Sequence, residues 1–255
     1  MIHDMTARAP AGASLAVVIP AWNEQENLNL LLPELRAVTH RLGIASDLIV
    51  VDGGSVDGTV DAAIRHGARI VAQQERGYGG ALIAGFEACS APFLVTMDAD
   101  LSHPAAFVEA LWNRRREADV LIASRYVEGG SAEMMWTRRI LSQILNRTFR
   151  LLLGLPFRDL SSGFRLYNRE AISALDLRSR DFDVLEEILI QLYVKNYGIR
   201  EVPFHYQPRG AGRSHARLIR FGWAYLKTLL RMVRLRFMSR PQHSAAKKSA
   251  AARQA

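Results

Sequence analysis

Two aspartates one residue apart, Asp98 and Asp100 in Met97-Asp98-Ala99-Asp100-Leu101-Ser102-His103-Pro104, carry the strongest chemical signal in the chain. Such carboxylates repel each other unless a cation sits between them. Hard divalent ions, Mg²⁺ or Mn²⁺, take these oxygens and keep coordination sites open for substrate phosphates. A helix cap beside a solvated Asp is the structural alternative. The position of the pair, closing an apolar run, favours the metal. Asp52 closes another apolar run in Val51-Asp52-Gly53-Gly54-Ser55-Val56-Asp57-Gly58. A carboxylate there needs a partner and can accept hydrogen bonds from a base or ribose. Asp57 reads equally well as a ligand or as the cap of the next helix. A third cluster, Arg76-Gly77-Tyr78-Gly79, begins a G-x-G-x-x-G pattern, but Leu82 stands at the third glycine. It reads as a tight turn into a helix whose amides could touch an anion.

Other chemistries are disfavoured by what is missing. The first apolar run ends in Pro20-Ala21-Trp22-Asn23-Glu24, without the glycines of a dinucleotide-binding turn. There is no Walker A sequence and no H-E-x-x-H, and Asp57 breaks a nucleophile elbow. The single cysteine, Cys89, excludes a disulfide framework and a multi-cysteine metal site.

The elements that must position these residues follow from the hydropathy pattern. Apolar runs at 15–19, 48–51, 69–72, 93–97 and 120–123 read as strands. Amphipathic stretches at 27–41, 59–65, 81–89 and 105–117 read as the helices between them. That alternation, with solidly apolar strands, predicts an α/β fold with a parallel sheet covered on both faces. Ligands of such sheets bind beyond the carboxyl ends of the strands, where Asp52, Asp98 and Asp100 lie. After Ser124 the rhythm changes. Helices are expected at 134–153, 184–197 and 216–238, and short strands at 164–167 and 201–206.

The formal net charge of +8 is unevenly spread. Residues 209–255 hold 12 Lys+Arg and no acid, while residues 1–208 are mildly acidic at −4. Residues 134–153 and 216–238 mix Arg and Lys with Leu, Ile, Phe and Trp, the composition of helices lying on anionic lipid. An ordinary amphipathic helix packed on the sheet is an equal reading for 134–153. No uncharged apolar run reaches the ~20 residues of a spanning helix, and residues 1–14 lack the apolar core of a signal peptide. Nucleic acid is not expected as a partner, because the basic stretch carries no recognised RNA or DNA motif.

Taken together, VVIPAWNEQENL, VVDGGSVDGT, MDADLSHP, ASRYVEGG (123–130), RDLSSGFRLY (158–167) and EVPFHYQPRGAGRSH (201–215) resemble the family 2 glycosyltransferases of GT-A fold. The fuller match is to their dolichol-phosphate mannose synthase branch. The resemblance spans roughly residues 15–230 and rests on the order and spacing of the motifs. It implies a mostly parallel, Rossmann-like sheet flanked by helices. It implies nucleotide-sugar contacts at Pro20, Ala21, Asn23, Glu24, Asp52, Gly53, Asp57, Gly77, Gly79, Asp98, Ala99 and Asp100, with the metal on Asp98 and Asp100. It implies catalytic or acceptor-phosphate roles for Arg125, Arg158, Ser162, Arg209, Arg213 and Ser214, since guanidinium binds phosphate bidentately. Gly53 stands where an acid is frequent, Ser102 where some members have Gln, and His215 where Lys is usual.

The expected activity is metal-dependent inverting transfer of a hexose from a nucleotide-diphosphate sugar to a polyprenyl phosphate. GDP-mannose is the favoured donor and UDP-glucose the next. The expected location is cytoplasmic, peripherally associated with the cytoplasmic face of the membrane, whose anionic surface is an expected partner. The expected organisation is a short N-terminus (1–14), a catalytic domain (15–215), a basic interfacial helix (216–238) and a disordered tail (239–255). Two alternatives stay open. One is a hydroxyl acceptor, with Asp181, Asp183, Glu186 or Glu187 as base. The other is an inactive nucleotide-sugar-binding scaffold.

Overall fold

The structure, a computed structural model, describes residues 10, 12–133, 136–206, 229–234 and 236–237. Its centre is a seven-stranded sheet in the order β3-β2-β1-β4-β7-β5-β8. The strands are β1 (Leu15–Ala21), β2 (Ser46–Asp52), β3 (Arg69–Ala72), β4 (Phe93–Thr96), β5 (Val120–Ser124), β7 (Arg165–Asn168) and β8 (Ile199–Pro203). All neighbours pair in parallel except β7, which runs antiparallel between β4 and β5. A separate parallel pair joins β6 (Ser131–Ala132) to β9 (His205–Tyr206).

Alternation along the strands builds two cores, because successive side chains leave a strand on opposite faces. Leu15, Val17 and Ile19 pack with Leu28, Leu31, Leu32 and Leu35 of α1 (Gln25–Arg41) and with Val108 and Leu111 of α4 (Phe107–Asn113). Ala16 and Val18 face the other way, toward α3 (Tyr78–Ala88), α5 (Trp136–Leu153) and α7 (Val184–Val194). At Gly85 of α3 a Cβ would lie 2.3 Å from Val18 Cγ1, so α3 sits directly on β1. The remaining helices are α2 (Thr59–Arg65) and α6 (Arg169–Ser173).

The predicted architecture is present, with boundaries shifted for local reasons. α3 starts at Tyr78 rather than residue 81, because Gly79 and Gly80 occupy its first turn and hide the apolar periodicity. α4 is shorter than expected. It stops before Arg114, and Arg115 folds back so that Nη1 donates to the Trp112 carbonyl at 2.8 Å. α7 ends at Val194, where the chain reverses through Asn196 at φ 61°. The apolar stretch at 201–206 divides at Phe204, whose amide donates to the Ser124 carbonyl at 2.9 Å while β9 leaves the main sheet. The reversed direction of β7 lay beyond the strand pattern, since an apolar run carries no polarity.

The described part of the basic C-terminal stretch is helical at 229–234 and 236–237. Two of its cations turn toward the body. Arg231 pairs with Glu187 at 3.0 Å and donates to Ser179 Oγ at 2.6 Å. Arg236 Nε donates to the Leu153 carbonyl at 3.3 Å, and its guanidinium lies 5.1 Å from the Tyr193 ring centre. Among the described residues no helix is long and apolar enough to cross a membrane.

Candidate active site

The parallel strands bring the ends of β1, β2 and β4 to one edge of the sheet. Two loops there are laced together. Asn23, at φ 56°, donates its amide to Ser55 Oγ at 2.9 Å and accepts the Val56 amide on Oδ1 at 2.9 Å. Glu24 N donates to Thr59 Oγ1 at 2.8 Å, and Gln25 N donates to Asp57 Oδ2 at 3.2 Å. Asp57 also accepts the Thr59 amide at 2.9 Å and the Thr59 hydroxyl. Burial works to raise its pKa, but these hydrogen bonds outweigh it and hold the carboxyl below its ordinary value. In this geometry Asp57 joins the two loops as well as capping the helix.

Asp52 pairs across β1 with Ala21, and its carboxylate accepts the amides of Gly54 at 3.1 Å and Ser55 at 3.2 Å. Gly53 donates its amide to the Ala21 carbonyl at 2.9 Å. Pro20, Ala21, Asn23, Glu24, Asp52, Gly53 and Asp57 thus share one braced rim.

The end of β4 holds the aspartate pair. Asp98 keeps 30% of its side chain exposed, and its Oδ1 accepts the Tyr78 hydroxyl at 3.1 Å. Asp100 is buried, and its Oδ1 accepts the amide and hydroxyl of Ser102 at 3.1 and 2.5 Å. Between them and Ser102 the chain passes Ala99 and then Leu101, which sits at φ 64°, a strained position for a leucine. Ser102 thus orients Asp100, the use the structure gives the residue at the variable position of this motif.

His103 accepts the Asp98 amide on Nδ1 at 2.9 Å and stacks on Phe164 at 4.8 Å. Burial pushes its pKa down, against the pull of the Asp98 and Asp100 carboxylates. The ring is therefore neutral with its proton on Nε2, and it holds the loop rather than offering a lone pair to a cation. Among the described residues no three His, Cys, Asp or Glu side chains gather into a metal cage. The donor set is two carboxylates. That set fits a hard divalent ion whose other ligands are diphosphate oxygens and water, and does not fit zinc.

Gly77 and Gly79 meet a different neighbour from the one expected. Gly77 lies at φ 96°, and a Cβ there would sit 2.2 Å from the Arg180 carbonyl oxygen. The Gly79 amide donates to that same carbonyl at 2.8 Å. The glycines let α3 approach the 179–181 segment, and the Gly79 amide is spent there instead of on an anion.

Arg125 is likewise engaged. Its Nε and Nη2 grip Asp159 at 2.8 and 2.7 Å, and Nη2 also reaches Ser161 Oγ at 2.9 Å. The Arg125 side chain is 11% exposed and Asp159 is fully buried. Burial opposes both charges, but each partner outweighs it: the Arg125 pKa is raised and that of Asp159 lowered. Glu201 braces the same loop, accepting the amides of Arg158 and Asp159 at 2.9 Å each and the Ser124 hydroxyl at 2.7 Å. The Arg158 side chain is exposed, whereas Ser162 is buried with its Oγ accepting the Phe164 amide at 3.3 Å. Next to Ser162, a Cβ on Gly163 would come within 2.4 Å of the Tyr78 hydroxyl, which ties this loop to Asp98. Arg209, Arg213, Ser214 and His215 lie outside the described residues.

Sequence reasoning assigned no role to Tyr78, His103, Asp159 or Glu201. His103, Asp159 and Glu201 stood inside recognised motifs, and that was the available signal. Tyr78 and Glu201 act through partners far along the chain.

Residues 16–176 match the profile described as Glycosyl transferase family 2. The chain is 32% identical over 210 residues to the dolichol-phosphate mannosyltransferase of Pyrococcus furiosus, covering 78% of this chain and 58% of that protein. It is 32% identical over 213 residues to the polyprenol monophosphomannose synthase of Mycolicibacterium smegmatis, covering 78% of this chain and 79% of that protein. In fold it is similar to glucosyl-3-phosphoglycerate synthase from Mycobacterium tuberculosis, crystallised with Mn²⁺, uridine diphosphate and phosphoglyceric acid. That likeness has a TM-score of 0.71 at 22% identity and covers 88% of this chain and 79% of the other.

Proposed function

The chain belongs to glycosyl transferase family 2, and from that membership we propose that it transfers a hexose from a nucleotide-diphosphate sugar to a polyprenyl phosphate at a membrane surface. Mannose from GDP-mannose is the favoured donor, with UDP-glucose next. The observation that carries the reading is the Asp98–Asp100 pair at the end of β4, beside the braced Asp52 rim on the neighbouring strands. Two relatives, a dolichol-phosphate mannosyltransferase and a polyprenol monophosphomannose synthase, favour the donor and acceptor named.

In this reading the Pro20–Glu24 loop, Asp52 and Gly53 receive the base and ribose. Asp98 and Asp100 hold the divalent ion, Mg²⁺ or Mn²⁺. When bound, that ion supplies positive charge to the departing diphosphate. Tyr78 and Ser102 keep the two carboxylates aimed. The acceptor phosphate oxygen is anionic at neutral pH, so it attacks the anomeric carbon from the far face without a general base. Arginines then draw two phosphates together against their repulsion. Arg158 with Arg209 and Arg213 would take that part, and Arg125 would act mainly by shaping the loop through Asp159. Catalysis belongs to residues 15–215, and α5 with residues 216–238 would contact the bilayer.

A hydroxyl acceptor is less well served. Glu187 accepts the amides of Arg178 and Ser179, at 3.1 and 2.7 Å, and pairs with Arg231. Glu186 is buried, and desolvation pushes its pKa up to about 8, so it is protonated at neutral pH. Neither of these two glutamates offers a ready base, which leaves Asp181 and Asp183 as the bases for that reading.

The test is incubation of the full chain with Mn²⁺, polyprenyl phosphate and labelled GDP-mannose or UDP-glucose in parallel. Label entering the organic phase identifies the donor, and no lipid-linked product with any donor refutes the proposal. Asp100→Ala should abolish metal-dependent transfer and Mn²⁺ binding while far-UV circular dichroism is unchanged. Near-normal turnover in that variant would overturn the metal assignment.

A further inference from the structure

The helical stretch at 229–234 is anchored by Met232, which is fully buried, with Leu229 and Val233 packed beside it on the core under α3 and α7. These three residues fall at the i, i+3, i+4 spacing of one helix face. Arg231 flanks that face, and its side chain closes a triangle with two other residues. Its Nη2 pairs with Glu187 Oε2 at 3.0 Å and donates to Ser179 Oγ at 2.6 Å. The Ser179 amide donates to the same Glu187 oxygen at 2.7 Å. Glu187 and Ser179 are both buried. A buried carboxylate is costly without a cation, so Arg231 stabilises Glu187 and the turn that Glu187 holds.

That turn continues into residues 180–182, which lie against the start of α3. The Arg180 carbonyl accepts the amides of Gly79 and Gly80 at 2.8 and 3.2 Å. The Phe182 ring stacks on Tyr78, with ring centres 4.7 Å apart and planes inclined by 13°. Tyr78 in turn donates its hydroxyl to Asp98 Oδ1 at 3.1 Å. Burial and the Asp98 charge both push the Tyr78 pKa well above its ordinary value, so the hydroxyl keeps its proton and donates. A Cβ at Gly163 would lie 2.4 Å from that hydroxyl, which leaves Tyr78 little room on that side. Tyr78 is thus held by Phe182, the 163 backbone and Asp98, and a shift of residues 179–182 would move its hydroxyl off the carboxylate.

We propose that Arg231 is a positioning residue for the metal carboxylate: through Glu187 and Ser179 it holds residues 179–182 on the start of α3, and through Phe182 and Tyr78 it fixes the orientation of Asp98. The proposal rests on the reading of Asp98 as a metal ligand, and it makes that site depend on the docking of the C-terminal helix. Outer partners that orient a metal ligand are worth about 10–100-fold in metal affinity.

The test uses the full chain and two readouts. Hydrogen exchange of the metal-free protein reports the contact between residues 179–182 and α3. Mn²⁺ affinity in the presence of GDP or UDP, followed by electron paramagnetic resonance, reports the carboxylate. Arg231→Gln should speed exchange of the Gly79 and Gly80 amides by about tenfold or more and leave the amides between β1 and β2 unchanged. It should weaken Mn²⁺ binding by about tenfold. A single nitrogen of Arg231 makes both contacts, so Arg231→Lys should return Mn²⁺ affinity to within about threefold of wild type. Tyr78→Phe keeps the stack, removes the hydroxyl and should weaken Mn²⁺ binding to a similar extent. Arg231→Gln/Tyr78→Phe should bind Mn²⁺ within about twofold of Tyr78→Phe alone, because both changes cut one line of contacts. Losses that multiply overturn the proposal. So does wild-type Mn²⁺ affinity in Arg231→Gln. An equal loss in Arg236→Gln also overturns it, since Arg236 sits on the same helix but bonds the Leu153 carbonyl, and such a loss would mark helix packing in general. Ser179→Ala, a milder cut of the same triangle, takes the same criteria if Arg231→Gln does not fold. Asp100→Ala separates the two readings. If it binds Mn²⁺ as wild type does, the metal reading fails and this proposal with it. If it loses Mn²⁺ while Arg231→Gln does not, this proposal alone fails.

Discussion

Replacing Asp159 by Asn tests the assignment of Arg125 as a loop-shaping residue. Asp159 is fully buried and takes three hydrogen bonds from Arg125, from its amide at 2.9 Å, Nε at 2.8 Å and Nη2 at 2.7 Å. Asparagine keeps the shape but removes the charge, leaving a nearly buried guanidinium uncompensated. Breaking one side of such a pair costs about 3–5 kcal/mol. With an m-value of about 2–3 kcal/mol/M in urea, a 3 kcal/mol loss lowers the unfolding midpoint by about 1–1.5 M. The double variant Arg125→Met/Asp159→Leu should recover most of that loss, because removing both charges also removes their desolvation. The pair has a pH signature. The folded pKa of Asp159 lies below its ordinary value of 3.8. Its stabilisation is therefore complete above that ordinary value and is lost as pH falls through the lower folded value. The Asn variant should show none of this acid-side loss. A midpoint shift below about 0.3 M, or unchanged acid sensitivity, would refute the assignment.

Glu186 gives the opposite slope in a different window. Burial raises its pKa from 4.5 to about 8, so the native state keeps a proton that the unfolded chain releases. Its contribution to stability therefore declines as pH rises from about 4.5 to about 8. Glu186→Gln should flatten that decline in thermal melts taken across this range, and an unaltered profile would count against a protonated Glu186. Gly77→Ala places a Cβ against the Arg180 carbonyl at a positive φ, which should cost more than about 1 kcal/mol in urea unfolding. A neutral effect would show that α3 and the 179–181 segment need no such contact.

The aspartate pair was legible in the sequence because apolar runs announce buried strands, and the residues closing them fall at a known edge of a parallel sheet. The same logic located Asp52 and the Pro20–Glu24 loop. It named no partner where that partner lies far away in the chain. Arg125 in the Ala123–Gly130 motif reads as a free phosphate ligand, and nothing local to it announces Asp159. Gly77 and Gly79 read as a tight turn into a helix whose amides could touch an anion, and the pattern of glycines is the same whether an amide faces phosphate or the Arg180 carbonyl. The basic stretch near the C-terminus reads as a lipid-facing helix, yet Arg231 and Arg236 are turned to Glu187 and the Leu153 carbonyl.

Local sequence thus determined the elements, the two-sided core and the carboxylates at the strand ends, because hydropathy period and strand termini are properties of adjacent residues. Tertiary structure alone decided which charges are spent and which are available. Arg125 and Arg147 are chemically identical. One meets a buried carboxylate brought to it by the β5–β7 pairing, and the other meets an open cavity. That difference is a matter of which neighbour the fold delivers within hydrogen-bond distance.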